Sequence, residues 1–158
     1  MADKFSGVDA LRIAIEMEKR GMEMYKRAAR LSSSENAKEL FTRLESDERE
    51  HRDRFAGLYD KYQSREAVLD FGESSEYLSA LASEIVFSGG LVGLGLDDGF
   101  DDTKRILKNA IDAERDSILF YEALTASGSV DNELYNEIIS QEKRHLTELT
   151  QMLKEEMP

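Results

Sequence analysis

Apolar residues recur at steps of three and four along four long stretches, residues 7–31, 35–63, 102–126 and 130–156. That spacing gathers side chains on one face of an α-helix. Ser32, Ser33 and Ser34 interrupt the first two stretches and can cap the second. Gly128 and Ser129 separate the last two, and Asp101 and Asp102 suit the start of the third, where an acid meets the positive end of the helix dipole. Such short connections make each pair an antiparallel hairpin. Between the hairpins lies a crossover, residues 64–101, with a shorter helical pattern at 74–87 and a glycine-rich stretch at 89–99. A structureless loop of that length is uncommon in a compact domain. A partly helical strap running back along the bundle is the expected form. The pattern therefore predicts an all-α four-helix bundle, a single domain across residues 1–158.

The inward rows can be followed residue by residue. The first helix offers Val8, Leu11, Ile15, Glu18, Met22, Tyr25 and Ala29. The second offers Ala37, Phe41, Leu44, Glu48, His51, Phe55 and Leu58. The third gives Leu107, Ile111, Glu114, Ile118 and Tyr121, and the fourth Tyr135, Ile138, Glu142, His145, Leu149 and Met152. Six charged or titratable residues interrupt otherwise apolar rows: Glu18, Glu48, His51, Glu114, Glu142 and His145. On these rows they point into the bundle.

The two halves repeat one another. Ala14-Ile15-Glu16-Met17-Glu18-Lys19 matches Ala110-Ile111-Asp112-Ala113-Glu114-Arg115 at an offset of 96. Leu44, Glu48, His51 and Phe55 match Ile138, Glu142, His145 and Leu149 at an offset of 94. Tyr25 and Tyr121 each follow a key glutamate by two helical turns. The chain has only 2 histidines, and both stand one turn after a glutamate, on the same helix face.

Four buried carboxylates repel one another, and each loses its hydration. No lysine or arginine falls on the inward rows to neutralise them. Two divalent ions would, since four carboxylates, two neutral imidazoles and two doubly charged cations sum to zero. Oxygen and imidazole donors without sulfur suit iron or manganese, with zinc as an alternative. A purely structural polar core is the competing account of these six residues.

Composition narrows the picture further. There is no cysteine, which excludes disulfides, thiolate metal sites and thiol nucleophiles. The one proline is Pro158, so no helix interior is broken. A net charge of −12 would repel a phosphate backbone, and nucleic acid is not an expected partner. No apolar run approaches the ~20 residues of a membrane helix, and the first residues lack a signal-peptide pattern. The expectation is a soluble, cytoplasmic protein without a membrane partner. The glycine-rich stretch lacks the Lys-Ser/Thr of a phosphate loop. It reads as crossover, with Leu91, Val92, Leu94 and Leu96 free to cover the bundle or meet another subunit.

The order Glu, Glu-x-x-His, Glu, Glu-x-x-His resembles that of the ferritin-like diiron-carboxylate superfamily, most closely its rubrerythrin-like members. The resemblance spans nearly the whole chain. It implies a ferritin-like bundle with two iron ions, Glu48 and Glu142 bridging them, Glu18 and Glu114 as terminal ligands, and His51 and His145 on one ion each. It implies that Tyr25 and Tyr121 donate to ligand carboxylates, core packing being the plainer alternative. Asp47 and Gln141 would orient the opposite helix's histidine through its outer nitrogen; a solvated flank is the alternative for both.

Two departures stand out. Rubrerythrins with a rubredoxin domain carry cysteines that supply electrons, and here there are none, so an external electron donor is expected. The carboxylate typical of the family three residues after the third-helix glutamate is replaced by Ser117, which leaves a symmetric six-residue set closer to that of bacterioferritin. The implied activity is reduction of peroxide or dioxygen, in a homodimer or higher oligomer. Iron storage with ferroxidase chemistry, or a non-catalytic metal-binding bundle, are the alternatives. The end of the chain within the fourth helix speaks against a storage cage.

Overall fold

The computed structural model describes residues 4–64, 70–87, 103–128 and 131–156. Among these described residues five α-helices follow in order: α1 (Gly7–Leu31), α2 (Glu35–Tyr62), α3 (Ser75–Phe87), α4 (Thr103–Ala126) and α5 (Asn132–Glu156). There is no strand among the described residues. The protein is an all-α, ferritin-like four-helix bundle of α1, α2, α4 and α5, with α3 in the crossover. No helix among the described residues is long and apolar enough to cross a membrane.

Local chemistry sets the helix ends. Ser6 and Asp9 form a reciprocal cap on α1: the Ser6 N–H donates to Asp9 Oδ2 at 2.9 Å and the Asp9 N–H to Ser6 Oγ at 3.3 Å. Ser34 caps α2, accepting from the Ala37 N–H at 3.2 Å. Asp131 does the same for α5, accepting from the Leu134 N–H at 3.1 Å. This acid starts α5 at Asn132, slightly later than residue 130, which lies outside the described residues. After α4 the chain turns at Gly128, whose φ of +83° is the left-handed conformation that favours glycine. Asp101, Asp102, Ser129, Pro158 and the stretch 89–99 lie outside the described residues.

The α1–α2 and α4–α5 hairpins meet through α1 against α4 and, more loosely, α2 against α5. The Ser32 and Thr103 hydroxyls share a hydrogen bond of 3.2 Å, which places the end of α1 beside the start of α4. At the opposite end Ser75 Oγ donates to the Phe5 carbonyl at 2.8 Å and the Phe5 and Phe71 rings stack. The crossover thus begins at the foot of the bundle, and the chain re-enters at its head. Helix α3 buries Leu78, Leu81, Ala82 and Ile85, with α4 as its main neighbour.

The core follows the expected rows with one systematic difference. Ile15, Met22, Ala29, Ile118 and Met152 are only half-buried. In their place α1 buries Ala10, Ala14, Met17, Gly21, Met24 and Ala28, and α4 buries Ala110, Ala113, Ser117, Phe120 and Leu124. These helices pack on more than one neighbour, α1 on α2 and α4, and α4 on α5, α1 and α3. Their buried face is therefore broader than a single row. The small residues of α1 let its backbone come close to α2.

Candidate metal centre

All six residues singled out from the sequence converge at mid-bundle. Glu18, Glu48, Glu114, Glu142, His51 and His145 are each at most 4% exposed. They form two groups of four: Glu18, Glu48, His51 and Glu142, and Glu48, Glu114, Glu142 and His145. Within each group one donor atom per residue lies within 4.8 Å of every other. Glu48 and Glu142 belong to both groups.

The imidazoles are stacked face to face, their centroids 5.7 Å apart and planes 19° apart. Each turns Nδ1 inward and Nε2 outward. His51 Nδ1 lies 3.2 Å from Glu142 Oε1 and 3.4 Å from Glu18 Oε2. His145 Nδ1 lies 2.9 Å from Glu142 Oε2, 3.3 Å from Glu48 Oε1 and 3.4 Å from Glu114 Oε1. Glu142 therefore presents one oxygen to each group.

A surrounding layer fixes these groups crosswise. The Tyr25 hydroxyl on α1 donates to Glu114 on α4, and the Tyr121 hydroxyl on α4 donates to Glu18 on α1 at 2.5 Å. His51 Nε2 faces Gln141 Oε1 at 2.7 Å, and His145 Nε2 faces Asp47 Oδ2 at 3.0 Å. Asp47 and Gln141 are half-buried and hydrogen-bonded to the histidines, so neither is a solvated flank. Both tyrosines also pack: Tyr25 stacks on Phe41, and Tyr121 lies against Phe55 and Tyr135. The contacts of one half answer those of the other, Tyr25–Glu114 to Tyr121–Glu18 and His51–Gln141 to His145–Asp47.

One contributor has no chemistry of its own. A Cβ on Gly21 would stand 2.6 Å from Glu48 Oε2. Gly21 follows Glu18 by the same step as Ser117 follows Glu114, and it opens the side of α1 so that the Glu48 carboxylate can lie against the helix. The only sign in the sequence is a glycine mid-helix, where it is unfavourable. It passes unnoticed among the inward rows.

Electrostatics show what the cluster lacks when metal-free. Burial, and then the Glu142 charge, push Glu48 and Glu114 well above the ordinary carboxylate range, and Glu18 in the same direction. Burial opposes charge on the imidazoles, but the carboxylates around them prevail. His51 is pushed up to about 11 by Glu142 and Glu18, and His145 is raised by Glu114 and Glu142. Glu142 alone moves down: burial opposes it, and the two imidazoles closing on its oxygens overcome that. Burial and a facing carboxylate raise both tyrosines, which stay protonated donors.

The residues fit a pair of divalent ions. Glu18 Oε2, Glu48 Oε1, Glu142 Oε2 and His145 Nδ1 are buried and make no hydrogen bond, although such atoms rarely lack a partner. His145 Nδ1 is ringed by three carboxylate oxygens and hydrogen-bonds to none of them. Ligands gathered about a common point have this geometry. Carboxylate and imidazole donors match first-row transition metals.

A family model described as Rubrerythrin matches residues 9–91, which hold the α1–α2 hairpin and α3. No curated protein and no solved structure matches the chain.

Proposed function

The chain belongs to the rubrerythrin family, and on that footing we propose that it holds two iron ions at this cluster and reduces peroxide or dioxygen with electrons from an external donor. The observation that carries the reading is the sharing of Glu48 and Glu142 between two four-residue groups. Shared carboxylates are what a pair of ions a few ångströms apart requires. In this reading Glu48 and Glu142 would be shared by the two ions, Glu18 and Glu114 would serve one ion each, and His51 and His145 would each hold one ion through the inward Nδ1. When bound, the ion pair acts as a Lewis acid and as a source of two electrons, enough to cleave one O–O bond without releasing a radical.

The chain's own residues do the rest. The carboxylates balance the ions' charge in a site that excludes most water. Tyr25 and Tyr121 hold Glu114 and Glu18 in place through their hydroxyl protons. Gln141 and Asp47 accept the Nε2 protons, which leaves each Nδ1 lone pair free to face inward. Reduction of one peroxide to two waters consumes two electrons and two protons. The electrons return from a donor, which need only approach the bundle closely enough for transfer.

The reading is tested by anaerobic iron titration with elemental analysis, followed by stopped-flow mixing with peroxide or with dioxygen. Two equivalents per chain, and oxidation faster with one oxidant than the other, are expected. Binding of one equivalent or none refutes the site. Uptake far beyond two equivalents identifies iron storage. Two bound ions that neither oxidant affects leave a metal-binding bundle without this catalysis.

A further inference from the structure

The two halves of the centre match in their inner residues and differ in what stands behind them. Each imidazole Nδ1 has three carboxylates within 4 Å: Glu18, Glu48 and Glu142 for His51, and Glu48, Glu114 and Glu142 for His145. Glu18 and Glu114 each accept one tyrosine hydroxyl. The outer partners differ. His145 Nε2 meets the Asp47 carboxylate, whereas His51 Nε2 meets the neutral amide oxygen of Gln141.

A carboxylate behind an imidazole draws its outer proton and makes the inner nitrogen a stronger donor. It also places a further negative charge one ring away from the ion, in surroundings where screening is weak. An amide fixes the ring's orientation but adds no charge. Asp47 side-chain exposure is 26%, so the carboxylate keeps contact with solvent while its hydrogen bond points inward.

We propose that the two metal positions are unequal and fill in order, the His145 position before the His51 position, with Asp47 and Gln141 as the positioning residues that set the difference. The inference rests on the two-ion reading above. It has a consequence for redox chemistry: the ion backed by Asp47 is better stabilised in its higher charge state.

The test titrates metal-free full-length protein with Co²⁺ under argon, against a competing chelator, and resolves two dissociation constants. In the unmodified chain they should differ at least ten-fold, the scale of outer-partner effects on metal sites, about 10–100-fold. Asp47→Asn should weaken the tighter constant and bring the two together. Gln141→Asp should also bring them together, by tightening the weaker one. These opposite directions separate a charge effect from general damage to the fold. His145→Leu should abolish the tighter constant and His51→Leu the weaker. Two equal constants in the unmodified chain, or a separation that neither Asp47→Asn nor Gln141→Asp alters, overturns the inference while the two-ion reading stands. Binding of fewer than two Co²⁺ ions overturns both.

Discussion

Replacing Gly21 with alanine separates the demands of the fold from those of the site. Glycine inside a helix costs about 0.5–1 kcal/mol relative to alanine, so helix propensity alone predicts a more stable protein. For a chain of this size 1 kcal/mol corresponds to roughly 2–4 °C in Tm. The new methyl carbon would meet Glu48 Oε2 at 2.6 Å, where ordinary contact begins near 3.4 Å. The oxygen must therefore retreat by roughly 0.8 Å, the difference between those distances. As the end of a flexible side chain it can do so without dislodging α1 or α2. Ligand distances, however, tolerate only about 0.2 Å, and Glu48 serves both four-residue groups.

The expected outcome is a metal-free protein of equal or higher Tm whose affinity for two divalent ions falls at least ten-fold. Gly57→Ala supplies the control. Gly57 is exposed within α2, and a Cβ there meets nothing within 4 Å, so it should gain the same stability and keep full affinity. Scanning calorimetry with chelator, paired with a competitive metal titration, measures both quantities. If Gly21→Ala raises Tm and still binds two ions with unchanged affinity, the close approach to Glu48 has no part in the centre.

Other perturbations probe the same cluster. Glu48→Ala combined with Glu142→Ala should abolish tight binding of both ions; retention of two equivalents refutes the shared-carboxylate assignment. Tyr121→Phe leaves a buried Glu18 oxygen without its donor, which should destabilise the metal-free protein by about 1–3 kcal/mol, read as a lower urea midpoint at unchanged slope. The pH dependence of stability has a definite sign. Raised carboxylates such as Glu48 and Glu114 stabilise the fold fully below the ordinary 4.5, and progressively less as pH climbs. The His51 contribution is full below 6.5 and is lost as pH rises toward about 11. With chelator present, Tm should therefore fall between pH 6.5 and 10, whereas the stabilisation by added metal should grow as ions replace protons; a chelated Tm that climbs across this range contradicts the protonated-cluster picture.

The sequence discloses the bundle and the convergence of the six residues because both depend on helical period, which is local. An acid on a row that is otherwise Leu, Ile, Phe and Tyr must face inward, and the repeat then specifies which acids face one another. What depends on distances between helices is not local. The width of the buried face on α1 and α4 follows from each having more than one neighbour, so Ala14, Met17 and Phe120 pack in the core where a single row would have placed Ile15, Met22 and Ile118. Gly21 matters only because α2 brings Glu48 against it. Asp47 and Gln141 have ordinary solvent-side sequence surroundings, and the bonds that occupy them come from the facing helix. The resemblance to a known family supplies their partners; periodicity does not.

The two offsets in the repeat, 96 and 94, have a structural explanation that bears on the centre's symmetry. Each hairpin must bring its two glutamates to one height, and the connectors differ. In the first hairpin the step from Glu18 to Leu31 equals that from Glu35 to Glu48, so the helical arms match about a tight serine turn. In the second, the arm from Glu114 to Ala126 is two residues longer than that from Asn132 to Glu142, and a longer connector with left-handed Gly128 and the Asp131 cap precedes α5. Two residues span ~3 Å of helix rise, yet Glu114, Glu142 and His145 still meet in one group. The crosswise bonds from Tyr25 to Glu114 and from Tyr121 to Glu18 tie α1 and α4 together across the centre. The paired contacts of the centre thus persist although the two hairpins differ in arm length. They leave the outer partners Asp47 and Gln141 free to differ without disturbing the six residues at the middle.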